Sequence, residues 1–243
     1  MVRNEPCPKC TSVGNDTRGD NLVIFHNGHS HCFACGYHRF PKHYQPKPVK
    51  VNVANKSVLP SDFTREVPTS ALLWLLQFGL PYSYWQEHIG YSEKDKRLVF
   101  PIRNEGQVVF SIGRYVGPEL QPKPAKKWYV YGSSNNHCEV IGSNRRCVVL
   151  VEDLISAHKV AATGAGTATP LFGVEVNPAV LYMLRQFPGD VIMWLDKDQE
   201  GRIKRKVANL EVLINKPVSF VITDKDPKWL SFEQINKELN ETQ

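Results

Sequence analysis

The spacing of apolar positions changes twice along this chain and predicts three segments. From Ser61 onward, apolar runs of strand or helix length recur in the pattern of a folded globular region. Residues 41–60 contain prolines and lysines but few large apolar side chains, which indicates a semi-extended linker. Residues 1–40 are polar and hold four of the six cysteines. We therefore expect a small N-terminal unit joined by a linker to a larger globular region.

In the first part of the globular region, the pattern predicts a helix followed by an antiparallel hairpin. The apolar spacing of residues 69–81 indicates a short helix, with Thr69 or Ser70 as its N-terminal cap and a Gly-Leu-Pro stop signal. Residues 97–103 and 107–116 each have a strand pattern, and the three residues between them are typical of a tight turn. These two segments are expected to pair.

After residue 147, strand patterns alternate with helical patterns, which is typical of a parallel sheet covered by helices. Residues 191–195 are all apolar, as expected for a strand buried on both faces. The predicted strands are 147–151, 191–195 and 218–222, and the predicted helices are 154–162, 202–214 and 231–239. We therefore expect a mixed α/β protein, with the parallel sheet in residues 147–243.

Two CxxC motifs in the N-terminal segment have the spacing of a metal site. Cys7 and Cys10 form the first motif, and Cys32 and Cys35 form the second after an interval of 21 residues. A turn signal at Asn27-Gly28 between two strand-like runs predicts a hairpin that brings the second pair beside the first. Four thiolates with no open position are typical of one structural zinc ion rather than a catalytic one.

Other interpretations of the N-terminal segment are weaker. Two disulfides would require an oxidising compartment, and the first residues lack the apolar core of a secretory signal. His26, His29 and His31 are close enough in sequence to compete as ligands, but four thiolates already complete the shell. We expect these histidines on the ribbon surface, where they can face a partner, and Cys138 and Cys147 as ordinary small residues.

The formal net charge of +6 is concentrated in the middle of the chain. Residues 40–130 hold 13 basic and seven acidic side chains, whereas the flanking segments are close to neutral. Such a segment is typical of a protein that binds a polyanion, although a basic solvated surface has the same composition. No apolar run approaches the ~18 residues of a membrane span, so we expect a cytoplasmic protein with no membrane partner.

Acidic residues follow each of the three predicted parallel strands. Glu152 comes after the first, Asp196 and Asp198 after the second, and Asp224 and Asp226 after the third. Because functional groups of open α/β sheets gather at the carboxyl ends of the strands, we expect these side chains to meet at one edge. Such oxygen ligands suit Mg²⁺ or Mn²⁺, and two ions about 4 Å apart are typical of phosphoryl-transfer sites. Acids at helix starts also interact with the helix dipole, which is the alternative for each residue taken singly.

Several motifs occur in an order that is typical of one family. CPKC and HCFACG are followed by RLVFPIRNEGQVVFSIGR, then by VEDLISA, DKDQEG and KDP. Together they resemble the bacterial-type, DnaG-like (Toprim) primases, and most closely the primase half of bacteriophage primase–helicases. The resemblance covers nearly the whole chain apart from the linker. It implies a zinc-binding ribbon in 1–40, a linker in 41–60, the basic N-terminal subdomain of an RNA polymerase core in 61–143 and a Toprim catalytic subdomain in 144–243.

The resemblance also implies roles for individual residues. Glu152 matches a glutamate that assists deprotonation of the attacking 3′-hydroxyl, Asp196 and Asp198 match magnesium ligands beside it, and Asp226 matches a further acidic position. The glutamate is commonly followed by glycine, but here by Asp153, which either adds a ligand or caps the helix. The four cysteines match the zinc ligands of a ribbon that reads the start site. The residues expected to grip template and nucleoside triphosphates are Arg103, Arg114, Lys126 and Lys127.

The implied function is that of a DNA primase, a DNA-dependent RNA polymerase that makes short RNA primers on single-stranded DNA for replication. No GxxxxGK[ST] motif is present, so a replicative helicase is expected as a separate chain or a missing domain. A phage origin would place the protein in the cytoplasm of the bacterial host. Two alternatives stay open: a Toprim nuclease, which uses the same acids to cut, and a non-catalytic zinc-ribbon DNA-binding protein whose Toprim-like domain is only a scaffold.

Overall fold

In the computed structural model, the strands of the described residues form three separate four-stranded sheets, one after another along the chain. The predicted linker lies outside the described residues except for residues 57–60. The structure describes residues 3–25, 28–32, 34–39, 57–104, 106–117, 126–134, 137–172, 176–197 and 200–242.

The N-terminal segment forms an antiparallel ribbon with the strand order β1-β2-β3-β4. Its elements are β1 (Arg3–Glu5), helix α1 (Pro8–Thr11), β2 (Leu22–Ile24), β3 (Ser30–Cys32) and β4 (His38–Arg39). The predicted hairpin is confirmed, because Leu22 lies opposite Cys32 in antiparallel pairing. Asn27, in the predicted turn, lies outside the described residues. The buried cluster of the ribbon holds Leu22 beside three cysteines, which is too little apolar surface to stabilise such a unit without a metal.

The middle sheet is antiparallel, with the strand order β5-β6-β7-β8. Its strands and the helices before it are α2 (Thr69–Leu76), α3 (Tyr82–Trp85), β5 (Gly90–Ser92), β6 (Arg97–Asn104), β7 (Gln107–Tyr115) and β8 (Trp128–Gly132). The predicted hairpin is confirmed by β6 and β7, which pair with Leu98 opposite Arg114 and Arg103 opposite Val108.

The predicted cap of α2 is wrong. Thr69 already belongs to the helix, and the N-cap position is Pro68, with no side-chain hydrogen bond to the helix end. The Pro68 carbonyl accepts hydrogen bonds from the backbone N–H groups of Ala71 (3.0 Å) and Leu72 (3.1 Å). The fixed φ of proline is compatible with the extended backbone of an N-cap residue, so the helix begins directly after it.

The C-terminal part of the chain forms the predicted parallel sheet, in the order β10-β9-β11-β12. Its elements are β9 (Cys147–Val151), α4 (Leu154–Ala162), β10 (Thr167–Pro170), α5 (Pro178–Gln186), β11 (Asp190–Asp196), α6 (Glu200–Ile214), β12 (Val218–Thr223) and α7 (Phe232–Glu241). Every residue of β9 is fully buried, because helices cover both faces of the sheet.

One hydrophobic cluster joins the middle sheet to one face of the parallel sheet. Trp85 and Phe100 contribute from the first side, and Val149, Ile155 and Trp194 contribute from the second. A second cluster lies under α5 and α6 on the opposite face. Among the described helices, none has the length and apolar character that a membrane crossing requires.

Candidate active site at the carboxyl edge of the parallel sheet

The ends of β9 and β11 form the topological switch point of the parallel sheet. From β9 the chain continues to β10 on one side and then passes to β11 on the other side. Glu152 directly follows β9, and Asp196 is the last residue of β11. Neighbouring strands lie about 4.8 Å apart. The sheet therefore brings Glu152 and Asp196 to the place where open α/β sheets bind ligands.

The acidic residues of this edge differ in how fully they are described. Glu152 is half-buried, and its Oε1 atom is shielded from solvent. Asp196 is described by its backbone alone, and Asp198 lies outside the described residues. Metal binding by these three carboxylates therefore stays a prediction, while the placement of Glu152 and Asp196 on neighbouring strand ends is observed.

Asp153 is the N-terminal cap of α4. Its Oδ1 atom accepts hydrogen bonds from the backbone N–H groups of Ile155 (2.9 Å) and Ser156 (3.1 Å). Its Oδ2 atom accepts from the Ser156 hydroxyl at 2.7 Å. Of the two roles considered for Asp153, the structure favours the cap, because both oxygens are already occupied by local donors.

Lys228 connects two of the strand-end acids. Its Nζ atom lies 3.0 Å from Oδ2 of Asp153 and also forms a close ion pair with Asp226. Burial alone would lower the pKa of Lys228, but the two carboxylates outweigh burial and raise this pKa above its ordinary value. Asp226 therefore reaches the predicted edge, but as part of an ion-pair cluster with Lys228.

A second lysine, Lys197, forms an ion pair with an acid of the same edge. Nζ of Lys197, the residue after Asp196, donates a hydrogen bond to Oδ1 of Asp224 at 2.6 Å. This hydrogen bond lowers the pKa of the Asp224 carboxyl. Sequence reasoning missed both lysines as parts of the site, although DKDQEG and DKDPKW place a lysine within two residues of each acidic pair.

Arg114, a predicted binding residue, lies between two tryptophans of the middle region. The central guanidinium carbon of Arg114 is 5.0 Å from the ring centroid of Trp74 and 5.5 Å from that of Trp128. Burial, together with the nearby charge of Arg97, lowers the pKa of Arg114 from its ordinary value, but arginine stays protonated in folded proteins. The guanidinium is therefore a fixed positive charge held on aromatic faces.

Arg114 belongs to a cavity of about 330 Å³, which we call the aromatic cleft. It lies between the middle sheet and the carboxyl edge of the parallel sheet, since its walls contain Asp153 as well as Trp128. Its principal lining residues are Trp74, Phe78, Arg114, Trp128, Lys228 and Trp229. The cleft thus combines aromatic rings with two cations, and Asp153, which directly follows Glu152 in the chain, forms part of its wall.

A larger cavity, of about 520 Å³, lies away from this edge. Thr167 at the start of β10 and Phe187 after α5 contribute to its walls. Arg145 is its charged lining residue, and none of the acids that follow β9, β11 or β12 lines it. Its position near the amino ends of the strands makes it the weaker candidate for a catalytic site, despite its size.

Lys126 and Lys127 are exposed side chains just before β8, and Arg97 fixes their backbone. The Arg97 guanidinium donates to the carbonyl oxygens of Lys126 (3.0 Å), Lys127 (3.2 Å) and Gly113 (3.0 Å). Arg97 itself is only 9% exposed. Sequence reasoning missed this residue, and the available signal was a charged residue at the start of the apolar run RLVFPIR.

Arg103 is not brought together with Arg114. It pairs with Val108 at the turn end of the hairpin, whereas Arg114 lies six residues further along β7. Six strand residues span about 20 Å. The exposed guanidinium of Arg103 donates to the Gly106 carbonyl at 3.0 Å. Arg103 and Arg114 would therefore contact different parts of any extended ligand.

The four cysteines of the ribbon form the predicted metal-binding group. Their Sγ atoms all lie within 4.8 Å of one another. The distance is 3.6 Å both between Cys7 and Cys35 and between Cys10 and Cys32. Tetrahedral zinc with Zn–S bonds of ~2.3 Å requires sulfur atoms roughly 3.8 Å apart. The cluster therefore fits one structural zinc ion, with the ligand set that the sequence predicted.

The histidines of the ribbon lie beside this cluster but not in it. His31 and His38 stack with ring centroids 4.1 Å apart, and His29 Nε2 lies 3.4 Å from His38 Nδ1. Burial and the neighbouring rings lower the pKa of His38 to about 4. The described metal-binding group contains cysteines only, in agreement with the predicted ligand set, and His26 lies outside the described residues.

Comparison with known proteins identifies the fold. The sequence matches no family model and no curated relative. The structure resembles a DnaG primase catalytic domain solved with single-stranded DNA, with a TM-score of 0.57, 17% identity and 71% of each chain covered. It also resembles the E. coli primase catalytic core, with a TM-score of 0.55, 17% identity and 72% of each chain covered.

A third similar structure contains the zinc-binding and RNA polymerase domains of the Aquifex aeolicus primase. The TM-score is 0.59 at 15% identity, and the match covers 72% of this chain and 55% of that one. The three similarities agree with the resemblance noted in the sequence motifs. This chain has the fold of the DnaG primase catalytic core.

Proposed function

We propose that this chain is a DNA primase, a nucleotidyltransferase that makes short RNA primers on single-stranded DNA. The observation that supports the proposal is the placement of Glu152 and Asp196 on neighbouring strand ends at the switch point of the parallel sheet, within the fold of a primase catalytic core. The catalytic subdomain is then of the Toprim type and corresponds to residues 144–243, preceded by the basic subdomain in 61–143.

The strand-end carboxylates fit a site for divalent metal ions. Glu152, Asp196 and Asp198 offer only oxygen ligands, which Mg²⁺ and Mn²⁺ prefer over softer metals. When bound, two such ions supply charge neutralisation at the phosphates and activation of the attacking hydroxyl. Among this chain's own residues, Glu152 accepts a proton from the 3′-hydroxyl of the growing primer. Lys228 and Asp226 hold the loop after β12 against the cap of α4.

Cations of the middle sheet bind the phosphates of nucleotides and template. Arg114 carries a fixed charge at the aromatic cleft, where its guanidinium packs on the ring of Trp128. The exposed Lys126 and Lys127 directly precede Trp128 in the chain. Arg103 contacts a more distant part of the same strand, about 20 Å away along the hairpin. Each neutralised phosphate releases counterions, so binding should weaken as salt rises.

The zinc ribbon selects the start site on the template. Its stacked histidines present planar rings at the ribbon, where they are available to contact bases. One of the similar DnaG catalytic domains was solved with single-stranded DNA, which supports such a template for this chain. A replicative helicase would deliver that template in the bacterial cytoplasm.

The test is primer synthesis by the purified chain with Mg²⁺, the four ribonucleoside triphosphates and single-stranded DNA of random sequence. We expect short RNA products whose 5′ ends share a start sequence. Glu152→Gln and Asp196→Asn should abolish them, whereas Tyr182→Leu, an exposed aromatic on α5, should not. DNA fragments formed without nucleotides would instead identify the nuclease alternative. DNA binding without products, unchanged by the acid variants, would identify a non-catalytic binding protein.

A further inference from the structure

The aromatic cleft has the size and position of a nucleotide subsite, beyond the catalytic acids themselves. Its volume of about 330 Å³ lies within the range of small-molecule sites. Asp153, which directly follows Glu152 in the chain, forms part of its wall. The cleft therefore borders the carboxyl edge of the parallel sheet rather than a remote surface.

One tryptophan of the cleft, Trp229, is half-exposed to solvent and not buried in the hydrophobic core. Trp229 is 49% exposed although it is a large apolar side chain, and its ring contacts Phe78 at a centroid distance of 4.7 Å. Trp74 and Trp128 are half-buried and lie edge to face at 6.1 Å. An exposed tryptophan on the rim of a polar-edged cleft is an expected stacking surface, since every base has a π-face.

Arg114 is the cation of the cleft that is placed for an acidic group attached to such a ring. Arg114 Nε is buried and has no hydrogen-bond partner in the part of the chain that the structure describes. A donor of this kind is costly to bury unless an acceptor reaches it in a bound state. Lys228 lies in the wall as well, with its ammonium held by Asp153 and Asp226.

We propose that the aromatic cleft binds a nucleobase, which stacks on Trp229 while Arg114 donates to an acceptor on the base or its phosphate. The proposal rests on the function proposed above and adds a base-binding subsite to it. The base belongs either to a free ribonucleoside triphosphate or to a single strand, and the chemistry is the same for both.

Calorimetric titration distinguishes the sources and tests the stacking. The full chain is titrated with ATP, with inorganic tripolyphosphate and with an eight-residue thymidine strand, all in Mg²⁺. Trp229→Leu should weaken binding of ATP or of the strand about tenfold, the size of one lost base stack. It should leave tripolyphosphate binding unchanged. Trp229→Phe should restore most of the affinity, and Tyr182→Leu, 40% exposed on α5 in the native chain, should behave as wild type.

A second measurement avoids any loss of folding in the variants. Oxidation of tryptophans by N-bromosuccinimide in the wild-type chain is followed at Trp229 by mass spectrometry. ATP or the strand should protect Trp229, and tripolyphosphate should not. Equal affinity of Trp229→Leu and wild type for both base-containing ligands, or protection by tripolyphosphate alone, would overturn the proposal. Primer synthesis by the wild type is measured separately. Primer synthesis without any effect of Trp229 on base binding would contradict the base-binding subsite alone. Base binding without primer synthesis would contradict the proposed primase activity.

Discussion

The two sheets of the globular region present their functional residues in opposite ways. In the parallel sheet, β9 and residues 191–195 of β11 are buried on both faces, and the candidate acids appear only where the strands end. In the antiparallel sheet, Arg97 and Arg114 are residues of the strands themselves. Helices close both faces of the first sheet, whereas the second sheet carries Arg97 on one face and Arg114 on the other. Parallel strands therefore serve as a scaffold, and antiparallel strands also supply contacts.

The largest expected effect lies at the end of a parallel strand. Glu152→Gln should reduce the rate of primer synthesis by about 10³-fold, because the amide accepts no proton from the attacking hydroxyl. The folded structure should be retained, since the two side chains have nearly the same shape. Single-turnover primer synthesis measures the rate, and circular dichroism checks the fold. A rate within a factor of ten of the wild type would remove Glu152 from the chemistry.

The next effect lies within an antiparallel strand. Arg97→Ala should lower the free energy of unfolding by about 3 kcal/mol, because three carbonyl oxygens lose a charged donor. Binding of single-stranded DNA should weaken too, since Lys126 and Lys127 lose their fixed backbone. Urea denaturation and fluorescence anisotropy measure these two quantities. Arg145→Ala, an exposed arginine near the other cavity, is the matched control and should change neither.

Two helix N-caps provide a matched pair of variants that tests whether the contact between Asp153 and Lys228 matters for catalysis. Asp153→Ala and Asn177→Ala each remove a side chain that accepts from two backbone N–H groups, so each should cost about 1 kcal/mol of unfolding free energy. Only Asp153→Ala also removes one of the two carboxylates that hold Lys228 beside the candidate site. It should slow primer synthesis roughly tenfold, since small misplacements near reacting groups reduce rates. Equal rates for both variants would show that the Asp153–Lys228 contact has no catalytic importance.

The smallest effect is a pH dependence at the same contact. The folded-state pKa of Lys228 lies above the ordinary value of 10.5, so its ion pairs stabilise the fold fully below pH 10.5. This contribution is lost as pH rises through the folded-state pKa. The stability difference between wild type and Lys228→Met should be on the order of 1 kcal/mol at neutral pH and should shrink above pH 10.5. Lys225→Met, which removes an exposed neighbouring lysine, is the control for the loss of a surface charge.

The sequence predicted those elements whose pattern is strong by itself. The runs at 147–151, 191–195 and 218–222 are apolar enough to identify buried strands, and their carboxyl ends meet as expected. Strand β10 was missed because its sequence, TATP, contains no large apolar residue, although Thr167 and Thr169 are buried in the sheet. Helix α5 was missed despite a cap at Asn177 followed by proline, signals that would have located it.

The site was less predictable than the fold because its contacts are tertiary. Lys228 reaches Asp153 across 75 residues, and Arg97 reaches the Lys126 carbonyl across 29 residues. No local spacing encodes either pair. Arg103 and Arg114 were grouped because the family resemblance gave both a role in binding template and nucleotides, but the hairpin register places them near opposite ends of its strands. Register depends on pairing, which single residues do not reveal.

The hydrophobic cluster shared by the middle and parallel sheets holds the two walls of the aromatic cleft together. Phe78 from one wall and Ile155 from the other belong to the same cluster. Neither wall can separate without exposing that cluster to water, which costs free energy in proportion to the area exposed. The middle and parallel sheets should accordingly melt together in a single cooperative heat-absorption peak, and the cleft should stay preorganised for its ligand up to that temperature.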